Sequence, residues 1–283
     1  MDKNNSDALL SLLKDPDHTT FRAIADSLIL DVPTLENLWR QADDEIALSR
    51  LDWLIQRARF NKLEKALTEW QRNGALDIIE GAWLLATSRC PDLSFSEVDN
   101  TIASLAKDVW LELHDDMTPC ETVDAINRVL FVKHGLRADT RNMPLPDNMF
   151  INDVLHTKKG WRSGLAMIYL GVAQKLGLPV FGLQLPFGML LSWANNDALG
   201  KNVVFYIDPF NDGKILDEAG ILNYIKKHNI PYEPEFFFPS SNAVAIEMLM
   251  LELLLLYHTT GLDSHANDMG SLIQKFQECQ DKE

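Results

Sequence analysis

The stretch KKGWRSGLAMIYLGVAQKLGLPV, residues 158–180, does most to limit what this chain can fold into. A glycine precedes a helix expected over residues 161–176, and the helix runs out through Leu-Gly-Leu-Pro into an extended segment. Three apolar runs follow, VFGLQL, GMLLSWA and VVFYID, bounded by Pro186, NNDALGKN and PFNDG. They read as strands, the last two as an antiparallel hairpin. Nearly everything ahead of this point reads as helix. The chain is therefore expected to be α+β, a helix-rich N-terminal part followed by a core with a small antiparallel sheet.

The first 60 residues are weakly repetitive. LLKDPDHTTFRAIADSLI from Leu12 lines up with LWRQADDEIALSRLDWLI from Leu38, with a turn at Pro16-Asp17 or Asp43-Asp44 in each. The pattern resembles a pair of HEAT-like hairpins; two unrelated helical hairpins would share as few positions. Helices are expected to continue through 61–72, 75–88 and 94–113, with Pro91 stopping one and Ser94 or Ser96 capping the next. The segment MTPCETVDAINRVLFVKHG opens on a capping box, Thr118 with Glu121, has Pro119 at the first helical position, and closes at Gly135. Beyond the sheet come a short helix near 217–228, the aromatic and proline-rich IPYEPEFFFPSS, and one or two closing helices. Three regions are expected: a helical region over 1–90, a core over 91–240, and a C-terminal helical segment over 241–283 packed on that core.

At 283 residues the chain can bury one sizeable core and a smaller second one. Its 41 acidic against 26 basic residues give a net charge of −15, which argues against nucleic acid and against an anionic membrane surface. A basic protein patch or peptide is the partner such a surface favours. The three cysteines, Cys90, Cys120 and Cys279, are odd in number, far apart and without metal spacing, which fits a reducing compartment. No basic segment leads into an apolar one at the N-terminus, and the greasiest run, AVAIEMLMLELLLLYHTT, carries Glu247 and Glu252. A cytoplasmic protein is expected, with that run as a buried helix. The seven histidines show no paired spacing, so no metal site and no cofactor are expected; His114, beside Asp115 and Asp116, reads as a solvated helix end.

A thiol acyl-transfer site needs a cysteine at a helix N-terminus, a histidine that reaches it as base, and a carboxylate that orients the histidine. A helix followed by two hairpin strands supplies those positions in that order. If the hairpin is symmetric about Ala198, residue 188 lies opposite residue 208. The motifs Asn152 to Leu155, Lys159-Gly160, Leu176 to Pro179, Leu185-Pro186 and Ile207 to Asn211 give this region a specific resemblance. It is similar to the core of the SirB-like proteins, a bacterial branch of the transglutaminase-like superfamily, over about residues 90–240. The resemblance implies a transglutaminase-like fold.

The departures from that pattern carry the functional message. Counting from Gly160, the superfamily's nucleophile position falls on Arg162, and its histidine falls on Gly188; only Asp208 keeps a suitable type. Arginine offers no nucleophile and glycine no base, so Cys-His-Asp chemistry cannot run there. A vestigial pocket is expected from Trp161, Arg162, Ser163, Gly188 and Asp208, with no catalytic residue. The guanidinium is expected to fill the vacant space and pair with Asp208; Asp208 could equally serve the turn into Pro209-Phe210. Lys158, Lys159 and Arg162 at the helix start form a possible anion site. Ser163 reads as a capping hydroxyl or a displaced nucleophile, and Cys120, with His134 and His156 later in the chain, as a structural or a reactive thiol. The leading expectation is a non-catalytic binding or scaffolding module. The alternatives are a hydrolase or acyltransferase with a rearranged nucleophile, and a small-anion sensor.

Overall fold

The computed structural model describes residues 3–15, 17, 21–22, 25, 31–141, 145–185, 188–195 and 202–280. The chain forms two compact units, Met1–Lys65 and Ala66–Glu283.

In the first unit, α1 (Lys3–Leu13), α2 (Val32–Gln41) and the start of α3 (Glu45–Arg72) bury Leu13, Leu35, Leu38 and Leu51 together. Asp31 caps α2 by accepting the Thr34 N–H at 2.8 Å, and Pro33 sits in its first turn, where a missing N–H costs nothing. Arg50 is buried here. It donates to the carbonyls of Leu13 (3.0 Å) and Asp15, and lies 4.7 Å from the Phe21 ring centre. The expected second hairpin from Leu38 is a helix pair, with the Asp44 side chain accepting the N–H groups of Ile46 and Ala47. The expected first hairpin lies largely outside the described residues.

The second unit opens with α4 (Ile78–Ala86), α5 (Phe95–Trp110) and α6 (Pro119–Asn127). Ser94 stands at the N-cap of α5, but its hydroxyl bonds the Ser96 hydroxyl at 2.8 Å rather than a helix N–H. The capping box of α6 is complete: Thr118 N donates to Glu121 at 2.8 Å and Glu121 N to the Thr118 hydroxyl at 3.3 Å. Past Asn127 the helix widens into a π-turn over Arg128–Lys133, and Gly135 leaves it at φ +68°. Two short strands, β1 (Arg137–Ala138) and β2 (Lys159–Gly160), pair in parallel around α7 (Ile151–Thr157).

The quoted stretch forms α8 (Arg162–Lys175), and every residue from Ser163 to Ala173 is buried. A helix apolar on all sides belongs at the centre of a domain, and α8 is the centre of this one. It contacts α4, α5, α7 and β3, and approaches α4 so closely that a β-carbon on Gly171 would come within 2.1 Å of Ile79. Against it lies a five-stranded antiparallel sheet in the order β6-β5-β4-β3-β7, made of β3 (Val180–Leu183), β4 (Leu191–Ala194), β5 (Val203–Asp208), β6 (Lys214–Leu216) and β7 (Pro239–Ser240). The helices α9 (Glu218–Lys227), α10 (Asn242–Thr259) and α11 (Asp263–Gln280) complete the unit. The chain is thus helix-rich with a small antiparallel sheet. Among the described residues α10 is the one helix long and apolar enough to cross a membrane, and it packs on α4, α8, α11 and β3. Its Glu247 accepts a hydrogen bond from Gln277 at 2.6 Å.

Candidate functional site

The start of α8 is held by its neighbours rather than by a capping side chain. Trp161 occupies the N-cap, donates its N–H to the Asn148 carbonyl at 2.6 Å, and sets its ring edge-on to Phe210 at 5.2 Å. Arg162 is therefore the first helical residue and Ser163 the second. Ser163 is fully buried and caps nothing: its hydroxyl has no hydrogen-bond partner among the described residues. The expected cap fails because the helix begins two residues earlier than a capping Ser163 requires, which places the side chain in the core.

The Arg162 guanidinium lies 4.5 Å from the ring centre of Phe210, 5.6 Å from Tyr224 and 6.0 Å from Trp161. Three aromatic faces around one cation make a cation–π cage. The aliphatic part of the same side chain packs on Gly188, where an added β-carbon would come within 2.5 Å of Arg162 Cδ and 2.9 Å of the Tyr224 hydroxyl. Gly188 also has φ +152°, a conformation that side-chain-bearing residues rarely adopt. The space beside Gly188 is thus filled by the Arg162 side chain.

Asp208 does not pair with Arg162. Its carboxylate accepts the Phe210 N–H at 3.0 Å and an Asn211 amide hydrogen, closing the turn into the short helical segment Pro209–Asn211. Among the described residues Arg162 makes no ion pair. The hairpin register shows why spacing misleads here. Leu191 lies opposite Ile207, and a bulge between Trp193 and Ala194 shifts the pairing toward the loop. Continued by one residue, this register sets Asp208 against Leu190, not Gly188. A slip of two residues keeps the same face of the sheet, which is why Gly188 still meets Arg162.

The three cations at the helix start have different neighbours. Lys158 forms the left-handed end of α7 at φ +59°, Lys159 lies close enough to Asp139 to favour its ionised form, and Arg162 turns to the rings. Cys120 is exposed in the first turn of α6, and His134 is held by Asp108 at 2.6 Å. Among the described residues no group of three or more His, Cys, Asp or Glu side chains is arranged to hold a metal.

Two elements that sequence spacing does not bring to the site complete it. Tyr224 of α9 and His228 at its C-cap set their rings 4.5 Å apart at a 40° tilt; burial pushes the Tyr224 phenol up, and burial together with the Arg162 charge pushes His228 down. Glu252 of α10 is pushed up to about 7, chiefly by burial, with the Ser163 hydroxyl and the Arg162 charge opposing. The hydroxyl is near enough to favour the ionised carboxyl, yet Glu252 Oε2 and Ser163 Oγ make no well-formed hydrogen bond. The signal that could have found Glu252 was its charge within an otherwise apolar helix.

The chain is 28% identical to a UPF0162 protein of Xylella fastidiosa over 153 residues, 54% of this chain and 53% of that one. It is 26% identical to a UPF0162 protein of Vibrio cholerae over 159 residues, 56% of each. The chain spans about half the length of these curated relatives. A 132-residue match, 27% identical, joins it to mouse F-box only protein 21, covering 46% of this chain and 20% of that one. No solved structure matches. Residues 96–250, which take in α8, the sheet and the first half of α10, match the transglutaminase-like superfamily, and since this is more than half of the chain, the protein belongs to that superfamily.

Proposed function

We propose that this chain is a non-catalytic transglutaminase-like module of the SirB-like branch, acting in the cytoplasm as a binding or scaffolding protein for a basic protein or peptide. The observation that carries this reading is the packing of Arg162 against Gly188. Nucleophile and base are both missing, and the space between them is taken by an aromatic-caged side chain. The net charge of −15 favours a basic partner. A similar stretch makes up a fifth of mouse F-box only protein 21, which supports its use as a module within longer chains. The N-terminal helices, read as HEAT-like hairpins, would add an extended surface.

A second reading has one observation in its favour. Ser163 lies beside Glu252, a carboxyl that gives up its proton near neutral pH, so a Ser–Glu pair could in principle act on an acyl group. Against it, Ser163 is fully buried and no histidine bonds it among the described residues. Profiling the full chain with serine- and thiol-directed covalent probes separates the two. The non-catalytic reading expects no stoichiometric labelling of Ser163, and no labelling of Cys120 beyond that of an ordinary exposed thiol. Selective modification of either, lost in its alanine variant, overturns it. Capture of a basic partner, weakened by salt, would support the binding role.

A further inference from the structure

A cavity of about 750 Å³ lies between the π-turn that follows α6 and the start of β6, and none of its lining residues belongs to the closed site around Arg162. Its size suits a small ligand. Its walls are tied together. Asn127, the last residue of α6, donates its side-chain amide to the Gly213 carbonyl at 2.9 Å and accepts the hydroxyl of the buried Tyr169 at 3.2 Å. Asp212 and Gly213 are left-handed at φ +54° and +73°, and a β-carbon on Gly213 would run into the Asn127 amide. A π-turn within a helix recurs at functional sites, and walls already in place bind a ligand at lower entropic cost. In a chain of net charge −15, three cations line this cavity: Arg128, Arg137 and Lys214. Glu112 holds Arg128 at 3.0 Å, whereas Arg137 and Lys214 make no ion pair among the described residues. Asp124 and Asp212 line the same cavity and pair with neither.

We propose that this cavity binds a sugar phosphate, its phosphate on Arg137 and Lys214, its hydroxyls on Asp124 and Asp212, and its carbon face against Phe131. The lining selects by exclusion. A simple cation meets Arg137 and Lys214, and a simple anion meets the two aspartates. A phosphate monoester joined to a neutral, hydroxyl-rich body suits both sets. Its head carries close to two negative charges at neutral pH, which matches two unpaired cations, and the guanidinium fork fits two phosphate oxygens at once. Ionised carboxylates only accept hydrogen bonds, and sugar hydroxyls supply the donors without adding charge. An amino-acid zwitterion would offer the two cations a single carboxylate. The inference goes beyond the non-catalytic reading and does not depend on it, since the cavity shares no residue with the Arg162 site.

The test is calorimetric titration of the full chain with glucose 6-phosphate and ribose 5-phosphate, set against glucose, inorganic phosphate and alanine. At least one sugar phosphate should bind, about tenfold or more tightly than any of the three controls. Arg137→Gln and Lys214→Gln should each weaken it about tenfold or more, the size expected for losing a hydrogen bond between charged groups. Both side chains are exposed, so the circular-dichroism spectrum of each variant should match that of the wild type. Asp124→Ala, at an exposed helical position, should cut the preference for the sugar phosphate over inorganic phosphate several-fold, which a general loss of affinity would not do. Binding of neither sugar phosphate, inorganic phosphate or alanine binding as tightly as either, unchanged binding in the folded Arg137→Gln and Lys214→Gln chains, or an unchanged preference in Asp124→Ala would each overturn the proposal.

Discussion

Arg162 Cδ lies 2.5 Å from the point where a β-carbon on Gly188 would stand. Two residues that the resemblance sets at the nucleophile and histidine positions form one packing unit, each explaining the other. Gly188→Ala should therefore destabilise the second unit by about 2–4 kcal/mol, through the forced φ and the clash together. The penalty should shrink by about 1–3 kcal/mol in an Arg162→Ala background, where the clash is gone and the backbone strain stays. Urea denaturation of the two single variants and the double variant measures both quantities. An equal cost in both backgrounds would mean that the arginine does not occupy that space.

The aromatic cage around Arg162 makes a separate prediction. A guanidinium can lie flat against Phe210 while its stem packs on Gly188; an ammonium cannot do both. Arg162→Lys should cost about 1–2 kcal/mol despite keeping the charge. It should cost little more in a Phe210→Leu background, where the face that distinguishes the two cations is absent.

Asp208 serves the backbone turn, not the arginine. Asp208→Ala should destabilise by about 1–3 kcal/mol, because the Phe210 N–H and the Asn211 amide lose their acceptor. The double-mutant cycle of Asp208→Ala with Arg162→Ala should show a coupling below about 0.5 kcal/mol. Coupling of several times that size would restore the strut that chain spacing suggests.

How far the site was legible follows from what kind of signal each part carries. The α8 helix, its exit through Gly177-Leu178-Pro179, the Thr118–Glu121 box and the β4–β5 hairpin rest on local periodicity and turn residues, and all four are found. The expectation that Arg162 and Gly188 take the nucleophile and histidine positions is also local, since it needs only residue types at counted positions. Pairing of Arg162 with Asp208 depended on side-chain direction and on a symmetric hairpin, and the bulge at Trp193/Ala194 breaks that symmetry. The capping role expected of Ser163 failed by two residues in the helix start, a shift that turns a side chain by about 200°. Tyr224 and Glu252 arrive from helices far along the chain, and no local pattern reports which face of a late helix will reach an early one. Within an apolar helix such as α10, a carboxyl is the local mark of a site, and sequence alone does not separate Glu252 from Glu247, which Gln277 satisfies.

Glu252 makes the stability of the second unit depend on pH in an uncommon direction. Its ordinary value is 4.5, and in the fold it is pushed up to about 7, chiefly by burial, while the Ser163 hydroxyl and the Arg162 charge pull the other way. Between those two values the folded chain holds a proton that the unfolded chain has released, so stability falls as pH rises. The loss from this group begins near pH 4.5 and is complete a little above pH 7, amounting to something on the order of 3 kcal/mol. Glu252→Gln removes the titration while keeping the volume. Its stability should match the wild type near pH 5 and exceed it at pH 8, by up to about that amount. Arg162→Ala should move the wild-type transition to still higher pH, since the positive charge that favours the carboxylate is gone. Urea unfolding midpoints from pH 5 to 8, together with carbon-detected NMR titration of the Glu252 carboxyl, read both effects. A flat difference between wild type and Glu252→Gln across that range would show that the carboxyl is ionised and satisfied in the fold.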